Sequence, residues 1–225
     1  MKRKSYLYSI LSVVLFLMFM LFTAFVSLFD VKPIGPQGTF VGLASINQAV
    51  LDMLGIHEAW YIITEWLGVT AILVAVGFAC VGAWQLLTRR SIRKVDGSLL
   101  VLAGFYTLVI SAYLLFEWVV INYRPVMLGA DLEASYPSSH TMVVVCIMAT
   151  AGSQFRLLWP GKVKACGILN IVTTVIAAVT VLGRLFSGVH WFTDIVGGLL
   201  LAAALVTLYD AGICYLQEYT AQTQA

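Results

Sequence analysis

The sequence holds 225 residues, 61% of them hydrophobic and only 11% charged. Soluble globular chains carry about 25% Asp, Glu, Lys and Arg, so the composition argues against an ordinary soluble domain and excludes a disordered chain, a collagen-like repeat and a small disulfide scaffold. A net charge of +2 is too balanced for nucleic-acid binding read on charge.

A helix needs about 20 apolar residues to cross a hydrocarbon layer of about 30 Å. Six stretches meet or approach that length: Tyr6–Phe29, Trp60–Leu87, Ser98–Ile121, Thr141–Trp159, Cys166–Phe186 and Phe192–Leu216. None shows the strict alternation of a membrane β-strand, so the predicted fold is all-α, a single membrane domain of six spanning helices. The first stretch follows Lys2, Arg3 and Lys4, as a signal peptide would, but its 24 residues exceed a signal core of about 7–15 and no small-x-small cleavage site follows. It reads as a retained anchor helix. The connection Asp30–Ala59 opens with the turn-rich Lys32–Gly38. There follow Leu43, Ile46, Val50, Leu51 and Leu54 at near-helical spacing, with Asn47, Gln48 and Asp52 between them. That pattern predicts a short amphipathic helix at the interface. The fourth stretch carries Gln154 and Arg156 near its end, and Gly197, Gly198, Ala202, Ala203 and Ala204 read as a close-packing face of the sixth. Trp60, Trp118 and Trp191 sit at outer helix ends, where aromatic belts are expected. Cys80, Cys146, Cys166 and Cys214 are scattered singly and read as packing residues.

Ten of the thirteen basic residues fall in three segments on one side: Lys2, Arg3 and Lys4; Arg89, Arg90, Arg93 and Lys94; Arg156, Lys162 and Lys164. The positive-inside rule then puts both termini in the cytoplasm, with plasma membrane as the expected location. The three against the trend are Lys32, Arg124 and Arg184. Polar residues concentrate in three segments on that outer side: Glu117 to Pro125, Tyr136 to His140, and Gly183 to Asp194. They contain two of the three histidines. Arg124 and Arg184 supply forked donors suited to phosphate oxygens. Pro137-Ser138-Ser139-His140 opens a helix whose free N–H groups can receive an anion. His140 and His190 can divide attack and proton donation. Asp194, four residues after His190, can accept from one ring nitrogen and leave the other to attack. Together these describe phosphoryl transfer without a metal, and no plausible metal-ligand spacing occurs.

The three segments resemble the signature motifs of the type-2 phosphatidic acid phosphatase and haloperoxidase superfamily: K-x6-R-P, P-S-G-H and S-R-x5-H-x3-D. Here they read Glu117-x6-Arg124-Pro125, Pro137-Ser138-Ser139-His140 and Gly183-Arg184-x5-His190-x3-Asp194. The resemblance implies an integral membrane phosphatase in which His190 forms a phosphohistidine and Asp194 orients it. His140 would protonate the leaving group, while Arg124, Arg184, Ser138 and the backbone at Ser139 hold the phosphoryl oxygens. No cofactor or metal is implied. The partners are the bilayer and a lipid phosphate or diphosphate, of the phosphatidic acid, phosphatidylglycerol phosphate or undecaprenyl diphosphate class, acted on at the extracytoplasmic face. A lipid-linked phosphotransferase and a non-catalytic lipid-phosphate binder or transporter on the same scaffold are the alternatives.

Three positions depart from the pattern: Ser139 for Gly, Gly183 for Ser, and Glu117 for Lys. Glu117 and Arg124, seven residues apart, are expected on one helical stripe, with the carboxylate facing the phosphate, turned to an arginine, or simply standing at the helix end in the polar headgroup zone. Glu65, about one and a half turns inside the second stretch, is a further candidate because a carboxylate at that depth is costly. It is expected either to pair with an outer arginine or line the lipid route, or simply to snorkel. His57, Glu58, Lys32, Asp131 and Glu133 read as solvated residues.

Overall fold

The computed structural model describes residues 2–223, residues 2 and 3 by their backbone alone. The Lys2 and Arg3 side chains of the basic N-terminal cluster therefore lie outside it. In hydrocarbon each backbone N–H and C=O must find its partner within the segment, and the apolar stretches accordingly form helices. These are α1 (Lys2–Leu28), α2 (Ala44–Leu54), α3 (Glu58–Arg89), α4 (Gly97–Trp118), α5 (Ser139–Leu158), α6 (Val163–Ser187) and α7 (Phe192–Thr223). All but α2 are long and apolar enough to cross a membrane. No strand occurs among the described residues, only the isolated bridges Lys32–Val41 and Tyr123–Ala134.

The shortest spanning helix, α5, lies at the centre against α3, α4, α6 and α7, and α1 runs along α7. Ser12 on α1 donates to the Ala204 carbonyl at 2.9 Å, and Phe19 and Val26 are buried. The small residues expected to form a packing face do so. A Cβ at Gly197 would lie 2.6 Å from the Tyr136 ring, and Ala202 and Ala204 are buried. The polar Gln154 is also buried, donating to Ser98 and accepting from Tyr209.

At 32 residues each, α3 and α7 are about 48 Å long, against about 30 Å for α5. The excess carries the first turns of α3 past the start of α5. The short helix α2 forms where its pattern predicts, but two neighbouring positions depart from the expected face. Ile46 is exposed, while Asn47 is 1% exposed and turned inward. The Asn47 amide donates to the Gly42 carbonyl and to Thr193 Oγ1, both at 2.9 Å, and its Oδ1 accepts from the Thr193 N–H at 3.1 Å. Asn47 thus caps the first turn of α7 from outside, satisfying a donor the helix cannot.

The third spanning helix ends three residues earlier than its apolar run suggests. After Trp118 the β-branched Val119-Val120-Ile121 leaves helical geometry, and Val119 has φ −97° and ψ 87°. The chain then pairs with its own return: Arg124 N–H donates to the Glu133 carbonyl and Ser135 N–H to that of Asn122. Glu117 and Arg124 therefore share no helical stripe. Trp191 is not an interfacial belt residue either. It is 1% exposed, and its indole donates to the Tyr123 carbonyl at 2.7 Å.

Replacing Asn47 with Ala strands one buried donor, the Thr193 N–H, and two acceptors, the Gly42 carbonyl and Thr193 Oγ1, which costs about 2 kcal/mol. Thermal unfolding in detergent should register that loss, whereas Asp52→Ala on the exposed face of α2 shifts stability by less than about 0.5 kcal/mol.

Candidate active site

The ends of α4 and α6 and the starts of α5 and α7 meet at one end of the bundle, opposite Arg89, Arg93, Arg156 and Lys164. Backbone bonds lock the junction: Ser138 N–H donates to the Asp194 carbonyl at 2.9 Å, and His57 N–H to that of Ser187. Helix α6 ends at Gly188, whose φ of 69° is left-handed. A side chain there would also meet the Gly55 carbonyl at 2.9 Å. This tight exit turns the chain from Arg184 to His190 within six residues.

Arg184 is 0% exposed. Its Nη2 donates to Glu65 Oε1 at 2.5 Å and its guanidinium carbon lies 5.4 Å from the centre of the Tyr61 ring. Nε and Nη1, equally buried, have no hydrogen-bond partner. Glu65 Oε1 is also 3.2 Å from His140 Nε2. The His140 ring lies against Gly68, where a Cβ would approach Cδ2 to 3.0 Å. Tyr61, Glu65 and Gly68 stand at helical spacing, so one stripe of α3 walls the site. Glu65 is thus the arginine partner rather than a snorkelling residue.

His190, 3% exposed, sits just before α7. Its Nδ1 lies 3.2 Å from the Ser135 carbonyl and its Nε2 3.2 Å from Arg124 Nη1. A carbonyl can only accept and a guanidinium can only donate, so Nδ1 carries the proton and Nε2 the lone pair. Burial, then the charges of Arg124 and Arg184, push the ring's pKa well below its ordinary value. His190 is thus a neutral imidazole whose Nε2 lone pair accepts from Arg124.

The comparisons with known proteins agree with this layout. The model of the PAP2 superfamily matches residues 9–215. The chain belongs to the PAP2 superfamily. It is similar to the crystal structure of a transmembrane PAP2-type phosphatidylglycerolphosphate phosphatase from Bacillus subtilis, at 23% identity and a TM-score of 0.61, over 88% of this chain and 94% of that one. No curated protein matches. With six apolar helices in the same fold, the chain is an integral membrane protein.

The PAP2 motif residues His140, Arg184, His190 and Arg124 come together here, but several stand differently from their expected geometry. Asp194 Oδ2 is 3.6 Å from His190 Nδ1 and accepts instead from the Trp191 N–H at 2.9 Å. Its position in the first turn of α7 makes it the acidic half of a capping box, and its other oxygen faces the Asn122 amide at 3.4 Å. The Ser135 carbonyl therefore takes the ring hydrogen bond assigned to Asp194. The Ser138 hydroxyl accepts from the Thr141 N–H, capping α5, and Ser138 is fully buried. Ser139 and His140 are the first helical residues, so their N–H groups have no intrahelical acceptor. Glu117 is exposed beside Tyr113 and Ser139 and is partner to neither arginine.

Glu133, expected to face water, pairs with Arg124 Nε at 2.9 Å. Lys32 pairs with Asp30, and His57 Nε2 lies on the Leu54 carbonyl, so neither side chain is bonded to a motif residue. Sequence reasoning missed Asn122, Ser135 and Tyr61. Asn122 and Ser135 flank motif residues and left no signal of their own beyond that adjacency. Tyr61 stands four residues before Glu65, and that spacing was the available clue. Among the described residues no three of His, Cys, Asp and Glu gather closely enough to hold a metal.

The depressed His190 pKa has a measurable consequence. The unfolded ring binds a proton near pH 6.5 while the folded one does not, so the stability it contributes is full above about pH 6.5 and is lost as pH falls toward the folded value. Thermal unfolding in detergent should show a steeper drop between about pH 7 and pH 5 in the wild type than in His190→Asn. Parallel drops would assign the acid sensitivity elsewhere.

Proposed function

We propose that the protein is a lipid phosphatase that hydrolyses a lipid phosphate or diphosphate through a phosphohistidine intermediate, at the extracytoplasmic face and without a metal. The observation that carries this reading is the pair of buried, unpartnered donors on Arg184, together with the unprotonated Nε2 of His190, held by Arg124, and the open first turn of α5. A buried guanidinium with idle N–H groups is costly, and a tetrahedral oxyanion supplies the acceptors it lacks.

In the proposed cycle His190 Nε2 attacks phosphorus, forming a P–N bond as the bond to the leaving oxygen breaks. His140 gives that oxygen its proton. Water then attacks the phosphohistidine, His140 takes the water's proton, and inorganic phosphate leaves. Arg184, Arg124 and the N–H groups of Ser139 and His140 hold the charge that develops on the equatorial oxygens. Asp194 acts through the backbone turn that fixes His190.

The lipid part of the substrate has a route. An apolar cavity of about 520 Å³ opens between α3, α4 and α5, with His140 and Ser139 at one end and Ile72, Val76, Ile110 and Val143 along its walls. A second cavity of about 280 Å³ shares Ala75, Ala79 and Tyr106 with it and runs deeper between α3 and α4. A hydrocarbon chain lying there keeps its phosphate at the site without leaving the bilayer. The outward orientation follows from the basic residues gathered at the other end of the bundle.

His190→Asn and Arg184→Ala are expected to abolish phosphate release from detergent-solubilised phosphatidic acid or polyprenyl diphosphate, by at least about a thousandfold. EDTA should leave release unchanged. Strong EDTA inhibition reversed by a divalent ion would overturn the metal-free chemistry, and transfer of labelled phosphate to a second lipid instead of water would make the enzyme a phosphotransferase.

A further inference from the structure

The PAP2 signature motifs leave α3 without a chemical role, yet α3 places a carboxylate in contact with two candidate catalytic groups. Glu65 Oε1 touches both Arg184 Nη2 and His140 Nε2. We propose that Glu65 is a positioning residue for His140: its carboxylate accepts from Nε2–H and so turns Nδ1–H toward the leaving oxygen. The inference rests on the phosphatase reading above and adds to it the group that readies the acid.

Three observations support it. First, Glu65 Oε1 lies 3.2 Å from His140 Nε2, and the same oxygen accepts from Arg184 Nη2, so the ring has a carboxylate on one nitrogen beside a buried guanidinium. An acid that must donate a proton has to hold it beforehand, and a carboxylate on the opposite nitrogen favours the protonated ring. Second, the ring is fixed in place. Gly68 leaves room for the Cδ2 and Nε2 edge, with no space for a side chain between, so Nε2 faces α3 and Nδ1 faces away from it. Third, Glu65 is itself held. Arg184 Nη2 grips the same oxygen, and Arg184 stacks near Tyr61, one turn before Glu65 on α3. A carboxylate free to swing would not set a tautomer.

The proton balance is closed. The imidazolium gives its Nδ1 proton to the leaving oxygen as the P–O bond breaks, becoming a neutral ring with Nε2–H still on Glu65. In the second step Nδ1 accepts the proton of the attacking water, restoring the imidazolium. Glu65 stays a carboxylate throughout and exchanges no proton with substrate.

The experiment varies the need for an acid. An alkyl phosphate such as a short-chain phosphatidic acid has a poor leaving group that needs a proton, whereas 4-nitrophenyl phosphate expels a phenolate that does not. For Glu65→Gln, kcat on the alkyl phosphate should fall about a hundredfold or more, within the range general acids contribute, and kcat on the nitrophenyl ester less than tenfold. Glu65→Asp should recover part of the loss. A His140→Asn, Glu65→Gln double variant should be no slower on the alkyl phosphate than His140→Asn alone, because two residues of one unit are not additive. Equal losses on both substrates would make Glu65 a support for Arg184 only. Additive losses in the double variant, or faster turnover by Glu65→Gln, would likewise overturn the proposal. Should His190→Asn keep releasing phosphate, the phosphatase reading itself falls, independently of these ratios.

Discussion

A guanidinium that is always charged is buried completely at the end of a membrane helix, and the rest of this end of the molecule is arranged around it. Moving such an ion out of water costs several kcal/mol even after relaxation, and Arg184 recovers that cost through a limited set of contacts. Glu65 supplies one ion pair and Tyr61 an aromatic face. Both come from α3, so the 32-residue length of that helix is a condition for the burial. Gly183, next to Arg184, makes the approach of α6 to α3 possible. A Cβ there would lie 2.6 Å from the Thr64 methyl. What remains unsatisfied, Nε and Nη1, is the part of the charge left for a ligand.

The second constraint is the start of α7. Four backbone donors open every helix, and here they are met by groups that also build the site. The Asp194 carboxylate closes the cap on Trp191, Asn47 reaches in from α2, and the Asp194 carbonyl ties down Ser138 at the start of α5. One aspartate thereby sets the spacing between the two anion-facing turns and, through the turn it closes, the place of His190. That structural load explains its 3.6 Å separation from the ring. The carbonyl of Ser135, on the strand-like return of the long loop, accepts the ring proton in its stead.

The sequence was most legible where a single physical scale governs. Apolar length located all six spanning helices, and the alternation of basic segments correctly gathered Arg124, His140, Arg184 and His190 at one end. Legibility failed at helix ends and across helices. The run Val119-Val120-Ile121 is as apolar as the helix before it, so hydropathy could not see that β-branching and the pairing of the next residues would end α4 at Trp118. The stripe predicted for Glu117 and Arg124 failed with it. Glu133 looked like a loop carboxylate because its partner, Arg124, is brought back to it only by the chain reversal. Asn47 was assigned to the wet face of α2 since amphipathicity counts apolar residues, whereas the inward face of this helix meets a polar helix terminus.

These misplacements share a consequence for the electrostatics of the site. The pattern of the superfamily puts a lysine where Glu117 stands, and Glu117 lies outside the cluster, so this site has one cation fewer. It also holds two carboxylates on its arginines, Glu65 on Arg184 and Glu133 on Arg124. The two pairs differ in kind. Glu133 is on an exposed loop and bonds Arg124 through Nε, leaving Nη1 on His190, and a surface pair of that sort holds by about 1 kcal/mol or less. Glu65 is fixed on a helix against a fully buried guanidinium, and loss of the carboxylate strands the Arg184 charge. In the proposed reaction an arriving phosphate would therefore displace Glu133 at small cost while Glu65 stays in place. On that proposal the loop side is an adjustable anion clamp and the α3 side a fixed wall, the wall that also borders the apolar cavity.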